Sequence, residues 1–127
     1  AWSALPGASR HHWGTDIDVI DRAATAQGYL PQLVPAEYAP GGVFHRLDAW
    51  LTASMSRFGF YRPYVRDLGG VRPEAWHLSH ADTAGPACGG LTAEIMQEAI
   101  ESADIEGKER LIERMDEIRE RYVVQRQ

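Results

Sequence analysis

The chain has 127 residues, 44% of them hydrophobic, and a formal net charge of −5 at pH 7. That length and apolar content suit one domain with a real core, and the acidic balance offers no basic footprint for nucleic acid. No apolar run approaches bilayer-spanning length and no stretch reads as a signal peptide; the single cysteine, Cys88, excludes an intrachain disulfide framework.

Residues 1–8 read as an extended lead-in that turns at Pro6-Gly7, with Trp2 and Leu5 placed to cover an edge of the core. The stretch Ser9-Arg10-His11-His12-Trp13-Gly14-Thr15-Asp16-Ile17-Asp18 follows. Gly14 permits a sharp bend, so His11 can converge on the residues after it. Asp16 to about Ile20 alternates polar and apolar as a half-buried strand does. Ile17 and Val19 are then expected in the core, with Asp16 and Asp18 together on the opposite face. Asp21 can cap a short turn through Arg22–Ala24 that Gly28 stops. Tyr29–Val34 alternates and predicts a second strand ended by Pro35, and residues 37–42 predict a loop.

From Val43 to Arg57 the apolar residues Phe44, Leu47, Leu51 and Phe58 recur at helical spacing, predicting one amphipathic helix that carries His45. Gly59 ends it, and Phe60–Val65 predicts an edge strand because Pro63 interrupts it. Gly69-Gly70 turns the chain toward Val71–His80, which contains Glu74-Ala75-Trp76-His77. A His–Asp pair alone, or Glu-x-x-His alone, is common by chance. Their joint occurrence supplies two imidazoles, a carboxylate and a spare glutamate, the set a hydrolytic zinc site needs. Catalytic zinc takes three protein ligands and keeps one position open. The expected ligands are His11, Asp18 and His77, with His12 as the alternative to His11. Glu74 is the expected base, Asp16 an outer carboxylate that orients a ligand histidine, and Trp76 an apolar anchor. His80 is either a further outer donor or a plain loop histidine. The family resemblance given below implies an arginine on the substrate's terminal carboxylate, which a guanidinium matches bidentately; Arg10 and Arg62 are the local candidates.

Gly85–Gly90 has loop composition and carries Cys88 as an incidental thiol. Beyond it the sequence becomes charged and helical. Thr92–Ala103 predicts a helix with Ile95, Met96, Ala99 and Ile100 on one face. Asp104 is expected to cap a longer helix to about Val123, with Leu111, Met115, Ile118 and Tyr122 at coiled-coil spacing. That stripe serves either a hairpin folded on the domain or self-association through the C-terminal helices.

The run Pro6-Gly7-Ala8-Ser9-Arg10-His11-His12-Trp13-Gly14 followed by Asp18, with Glu74-Ala75-Trp76-His77 downstream, resembles the two metal signatures of the VanY-type zinc D-alanyl-D-alanine carboxypeptidases. The resemblance covers roughly residues 5–80 and extends to Trp50-Leu51 and Phe58-Gly59-Phe60. It implies a fold shared with the Hedgehog signalling domain, zinc on His11, Asp18 and His77, and Glu74 as general base. It also implies hydrolysis of D-Ala-D-Ala ends of peptidoglycan stem peptides, hence a bacterial periplasm or cell-envelope location. Ala75 replaces a common proline, and Asp16 replaces a common small residue. The family's upstream helix and strand, with a carboxylate-holding arginine, find no counterpart in the ten residues before His11, so a fragment of a longer protein is expected. The expected architecture is α+β: a small antiparallel sheet carrying a zinc site, packed by helices, as a core of residues 1–90 with a C-terminal helical hairpin over 91–127. The alternatives are a lysin-like peptidoglycan endopeptidase, which Glu74 in place of aspartate disfavours, and a non-catalytic zinc-stabilised binding module.

Overall fold

Three short antiparallel strands carry the candidate site: β1 (Asp16–Asp18) and β2 (Phe60–Tyr61) flank the central β3 (His77–His80). The computed structural model describes residues 4–5 and 7–124, so Trp2 and Pro6 of the expected lead-in lie outside the described residues. In the register, Asp16 faces Ser79, Ile17 faces Leu78 and Asp18 faces His77. Directly opposed residues share a face, so Asp16, Asp18, His77 and Ser79 all project from one side. The expectation that Ile17 enters the core is corrected, since Ile17 is 47% exposed while Asp16 is buried. The polar side is the inward one at Asp16 because every partner its carboxylate needs is there. The strand is also shorter than expected, ending at Asp18.

Residues 29–34 are not a strand. They wrap around the buried carboxylate of Glu37, which accepts from the Tyr29 hydroxyl and from the backbone N–H groups of Gln32 and Val34. Donors bound to that carboxylate are unavailable to a sheet ladder. Glu37 lies in the one-turn helix α1 (Pro35–Tyr38). The next helix, α2 (His45–Ser54), begins two residues later than expected and tightens into a 3₁₀ turn over Met55–Phe58. Phe44 and Leu51 are buried, but Phe58 is exposed and stacks on Trp50. Tyr38, Phe44 and Trp76 form one apolar cluster beside the sheet. The edge strand β2 stops at Tyr61, just before Pro63, and Tyr64 continues into a buried position.

Residues 81–90 correct the loop expectation, because they form helix α3 (Ala81–Gly90) with Pro86 inside it. Packing overrides propensity there: Ala84 is fully buried, and Cys88 packs against a second apolar cluster. Thr92 caps α4 (Ala93–Ser102) by accepting from the Ile95 N–H. The expected long helix after Asp104 is instead segmented into α5 (Lys108–Glu113), α6 (Met115–Ile118) and a π turn over Arg119–Val124, and Gly107, not Asp104, precedes it. A π turn inserts an extra residue per turn, so Val123 is buried and Tyr122 is left half-buried at the surface of a cleft.

Met96, Ile100, Met115 and Val123 form the second cluster with Ala8, surrounded by Leu5, Trp13, Cys88, Leu111 and Ile118. The C-terminal helices thus share a core with the segment that leads into the candidate site. Among the described residues no helix is long and apolar enough to cross a membrane. Ile100 is 1% exposed at the centre of this cluster, so Ile100→Ala should lower unfolding free energy by about 2–5 kcal/mol, measured by urea denaturation.

Candidate metal centre

A 3₁₀ turn over Arg10–Trp13 ends at Gly14, whose φ of 71° reverses the chain into β1. The left-handed conformation favours glycine, and it folds His11 back beside the strand. The His11 Nδ1 lies 3.2 Å from the Asp16 carbonyl oxygen. A carbonyl only accepts, so Nδ1 is the donor there and Nε2 is the nitrogen left to face outward. That Nε2 is 3.6 Å from Asp18 Oδ1. Across the sheet, His77 Nε2 donates to Asp16 Oδ2 at 2.7 Å, leaving Nδ1 3.5 Å from the same Asp18 oxygen. Each imidazole is therefore fixed through one nitrogen, and the other is turned toward Asp18.

The three donor atoms of His11, Asp18 and His77 all lie within 4.8 Å of one another. Ligands about 2.0–2.2 Å from a tetrahedral zinc stand roughly 3.3–3.6 Å apart, so the two histidine-to-aspartate distances match such a site. Two neutral imidazoles and one carboxylate also have the donor chemistry for a borderline-soft divalent ion. His77 is buried while His11 and Asp18 are exposed, so the cluster is rigid behind and open in front.

Asp16 holds this geometry from behind. Its carboxylate accepts from Arg10 Nε at 2.9 Å, His77 Nε2 at 2.7 Å, the Thr15 hydroxyl at 2.6 Å and the Ser79 hydroxyl at 2.9 Å. Burial alone would raise its pKa, but those bonds outweigh burial and hold it well below the usual carboxylate range. Burial likewise disfavours a charged His77, yet the hydrogen bonds to Asp16 and Glu74 prevail and raise its pKa to about 9 in the metal-free chain. Glu74 Oε2 sits 3.2 Å from His77 Nδ1, and the Glu74 N–H donates to the Tyr64 carbonyl. Trp76 packs on Tyr38 and Phe44 and anchors the segment between Glu74 and His77.

His12 is exposed on the same turn, and His45 is exposed on α2; the donor cluster contains His11 instead. His80 points to the other face, against Phe60 and Thr83. Arg10 is 6% exposed, and its Nη2 donates to Tyr61 and Ser79 beyond the bond to Asp16. Its guanidinium is thus shared among three side chains within the fold. Arg62 is committed too: it bonds the Ala75 carbonyl, Asp48 and Thr52, clamping α2 to the segment before β3. Both arginines are occupied because each compensates a carboxylate inside the fold.

A cleft of about 720 Å³ opens in front of the cluster. One wall holds His11, Asp18, Glu74 and His77, with Tyr64 edge-on to the His77 ring at 4.9 Å. The other wall comes from the C-terminal helices through Leu111, Arg114, Ile118, Arg121 and Tyr122. Sequence reasoning missed Ser79, Tyr64 and this whole wall. Ser79 was legible in principle, two residues from His77 and so on its face of a strand; Leu111, Ile118 and Tyr122 were legible as an apolar stripe, but nothing local placed that stripe across from the histidines.

The VanY family profile, described as D-alanyl-D-alanine carboxypeptidase, matches residues 1–83. The chain belongs to that family. An uncharacterized protein from Haemophilus influenzae is 34% identical over 122 residues, covering 94% of this chain and 93% of the relative. That similarity runs on into the helical segment beyond residue 83, outside the family profile. No solved structure matches the chain significantly.

Two outcomes follow from the Asp16 bonds and the charge on His77. Asp16→Ala leaves the Arg10 guanidinium buried without its partner, which should cost about 3–5 kcal/mol; divalent-ion affinity should fall roughly 10–100-fold, read by calorimetry on whatever fraction folds. In metal-free protein, His77 stabilises the fold fully below its unfolded value of about 6.5. That contribution disappears as pH rises through about 9. Thermal melts in chelator should show Tm falling between pH 7 and 9, with a shallower slope in His77→Gln.

Proposed function

We propose that the chain is a zinc-dependent D-alanyl-D-alanine carboxypeptidase that trims peptidoglycan stem peptides in the bacterial cell envelope. The observation that carries this reading is the pairing of an open His11–Asp18–His77 donor set with a glutamate, Glu74, 3.2 Å from His77 Nδ1 and facing the same cleft. Membership of a family described as D-alanyl-D-alanine carboxypeptidase supports the proposed substrate class. His11, Asp18 and His77 would hold the zinc ion, which would supply Lewis acidity to polarise a peptide carbonyl and lower the pKa of water toward ~7.

The chain's own residues do the rest. Glu74 takes a proton from the attacking water as the new C–O bond forms, then delivers it to the departing amine of the terminal D-alanine as the C–N bond breaks. Asp16 keeps His77 in one tautomer and one orientation throughout. Tyr64 and Trp76 exclude bulk water behind the reacting carbonyl, since both are buried and line the cleft.

Zinc-loaded protein should release D-alanine from an L-Ala-γ-D-Glu-L-Lys-D-Ala-D-Ala pentapeptide, and lose that activity on chelation. Glu74→Ala should bind zinc at the wild-type stoichiometry and lose activity by roughly 10²–10⁴-fold. Release of a dipeptide or of cross-linked fragments in place of D-alanine would identify an endopeptidase. Full zinc occupancy with no cleavage of any stem peptide would point to a binding module.

A further inference from the structure

The hydrogen-bond register decides what β1 shows at its outer edge. The His80 N–H donates to the Thr15 carbonyl at 2.9 Å, and the Val19 N–H to the Trp76 carbonyl at 3.1 Å. Asp16 lies opposite Ser79 and Asp18 opposite His77. Those bonds make both pairs the non-hydrogen-bonded kind and leave Ile17 as the residue that exchanges bonds with Leu78. Side chains stand close together in a non-hydrogen-bonded pair, which suits Asp18 and His77 to one ion. Their main chains do the reverse, so the N–H and carbonyl of Asp16 and Asp18 turn away from β3. Among the described residues β1 is an edge strand, and these groups face its unpaired side.

The two positions then differ. Asp16 is buried, and His11 Nδ1 lies 3.2 Å from its carbonyl oxygen. Asp18 is exposed, and so is Ile17 before it. Among the described residues no hydrogen-bond partner meets the Asp18 N–H or its carbonyl. One donor and one acceptor are thus held rigidly by the sheet at the spacing a strand partner requires. They belong to the residue whose carboxylate joins the His11–Asp18–His77 cluster and lines the cleft. Unpaired edge groups of this kind are a template for an extended peptide.

The chirality of the proposed substrate fits that template at one residue. An L residue takes the extended conformation readily, so its N–H can reach the Asp18 carbonyl while its own carbonyl accepts from the Asp18 N–H. A D-alanine after it is the mirror case and favours positive φ, which breaks away from a strand. Pairing by the lysine of L-Lys-D-Ala-D-Ala therefore ends at the next residue, whose carbonyl is the scissile one. The chain leaves the edge there, beside the Asp18 and His77 side chains.

We propose that the main chain of Asp18 pairs with the L residue preceding the scissile D-alanine, as a short strand added to the edge of β1, and so sets the register of the peptide against the metal centre. The proposal rests on the carboxypeptidase reading above and deepens it by naming how the amino side of the substrate is held.

The test exchanges single atoms of the peptide. In diacetyl-L-Lys-D-Ala-D-Ala the lysine N–H belongs to the α-acetamide, and replacing that NH by oxygen removes the donor to Asp18 without adding bulk. On zinc-loaded wild type this α-ester should lose roughly 3–10-fold in kcat/KM for D-alanine release. The same exchange at the ε-acetamide should change it by less than about twofold. A second readout needs no turnover: in zinc-loaded Glu74→Ala, the parent peptide should slow hydrogen exchange of the Asp18 amide roughly tenfold, followed by NMR. Equal cleavage of parent and α-ester, an equal loss on both esters, or saturable binding that leaves the Asp18 amide exchanging at its free rate each overturns the pairing while the peptidase stands. If wild type releases no D-alanine from the parent peptide, the carboxypeptidase reading falls and takes the pairing with it.

Discussion

The carboxylate of Asp16 is the constraint on which the rest of the centre depends. It is almost fully buried, and a buried carboxylate is tolerable only when its lone pairs are satisfied. Four donors meet it, from a 3₁₀ turn, from the residue before β1, and from two positions of β3. One charge therefore fastens the histidine-bearing turn, the first strand and the central strand to each other. The same bonds fix which nitrogen of His77 faces Asp18, so a fold-stabilising contact also sets the electronic state of a candidate ligand. Arg10 belongs to this hub, its guanidinium shared among Asp16, Tyr61 and Ser79.

Three carboxylates approach His77, and their surroundings divide the work among them. Asp16 lies behind the imidazole, buried and saturated, and its proton affinity is suppressed. Asp18 and Glu74 lie in front, with side chains 33% and 27% exposed, both facing the cleft. Without an ion, the proton on His77 balances this negative cluster. A divalent ion held by His11, Asp18 and His77 would replace that proton, coupling metal affinity to pH through a single nitrogen.

The two apolar clusters act as the jaws that hold the cleft. Trp76, Tyr38 and Phe44 brace the segment carrying Glu74 and His77, with Arg62 clamping it from α2. Met96, Ile100, Met115 and Val123 seat the C-terminal helices against Ala8, immediately upstream of the His11 turn. Residues more than a hundred positions apart therefore face each other across one cavity. A helical extension beyond the family-matching region is in this way built into the wall of the cleft.

The sequence by itself determined the family and the residue types that meet at the candidate centre. Histidines and carboxylates at these spacings, a glycine able to take a left-handed turn, and an alternating strand that places Asp16 and Asp18 on one face were all readable locally. Short-range geometry allows that, because a turn of one residue and a period of two are properties of the backbone. Helix α4 was legible for the same reason, from its period and its Thr92 cap. What only the tertiary structure decided was where each satisfied group finds its partner. Residues 29–34 had the alternation of a strand, but the Glu37 carboxylate took their N–H groups. Residues 85–90 had the composition of a loop, but burial of Ala84 and the contacts of Cys88 held them helical. Ile17 looked inward until a hydrogen-bonded network made the polar face the buried one. Arg10, Arg62, Arg114 and Arg121 are alike as letters, and their separate fates depend on carboxylates and carbonyls brought near by folding. Such competition between distant partners leaves no periodic trace along the chain.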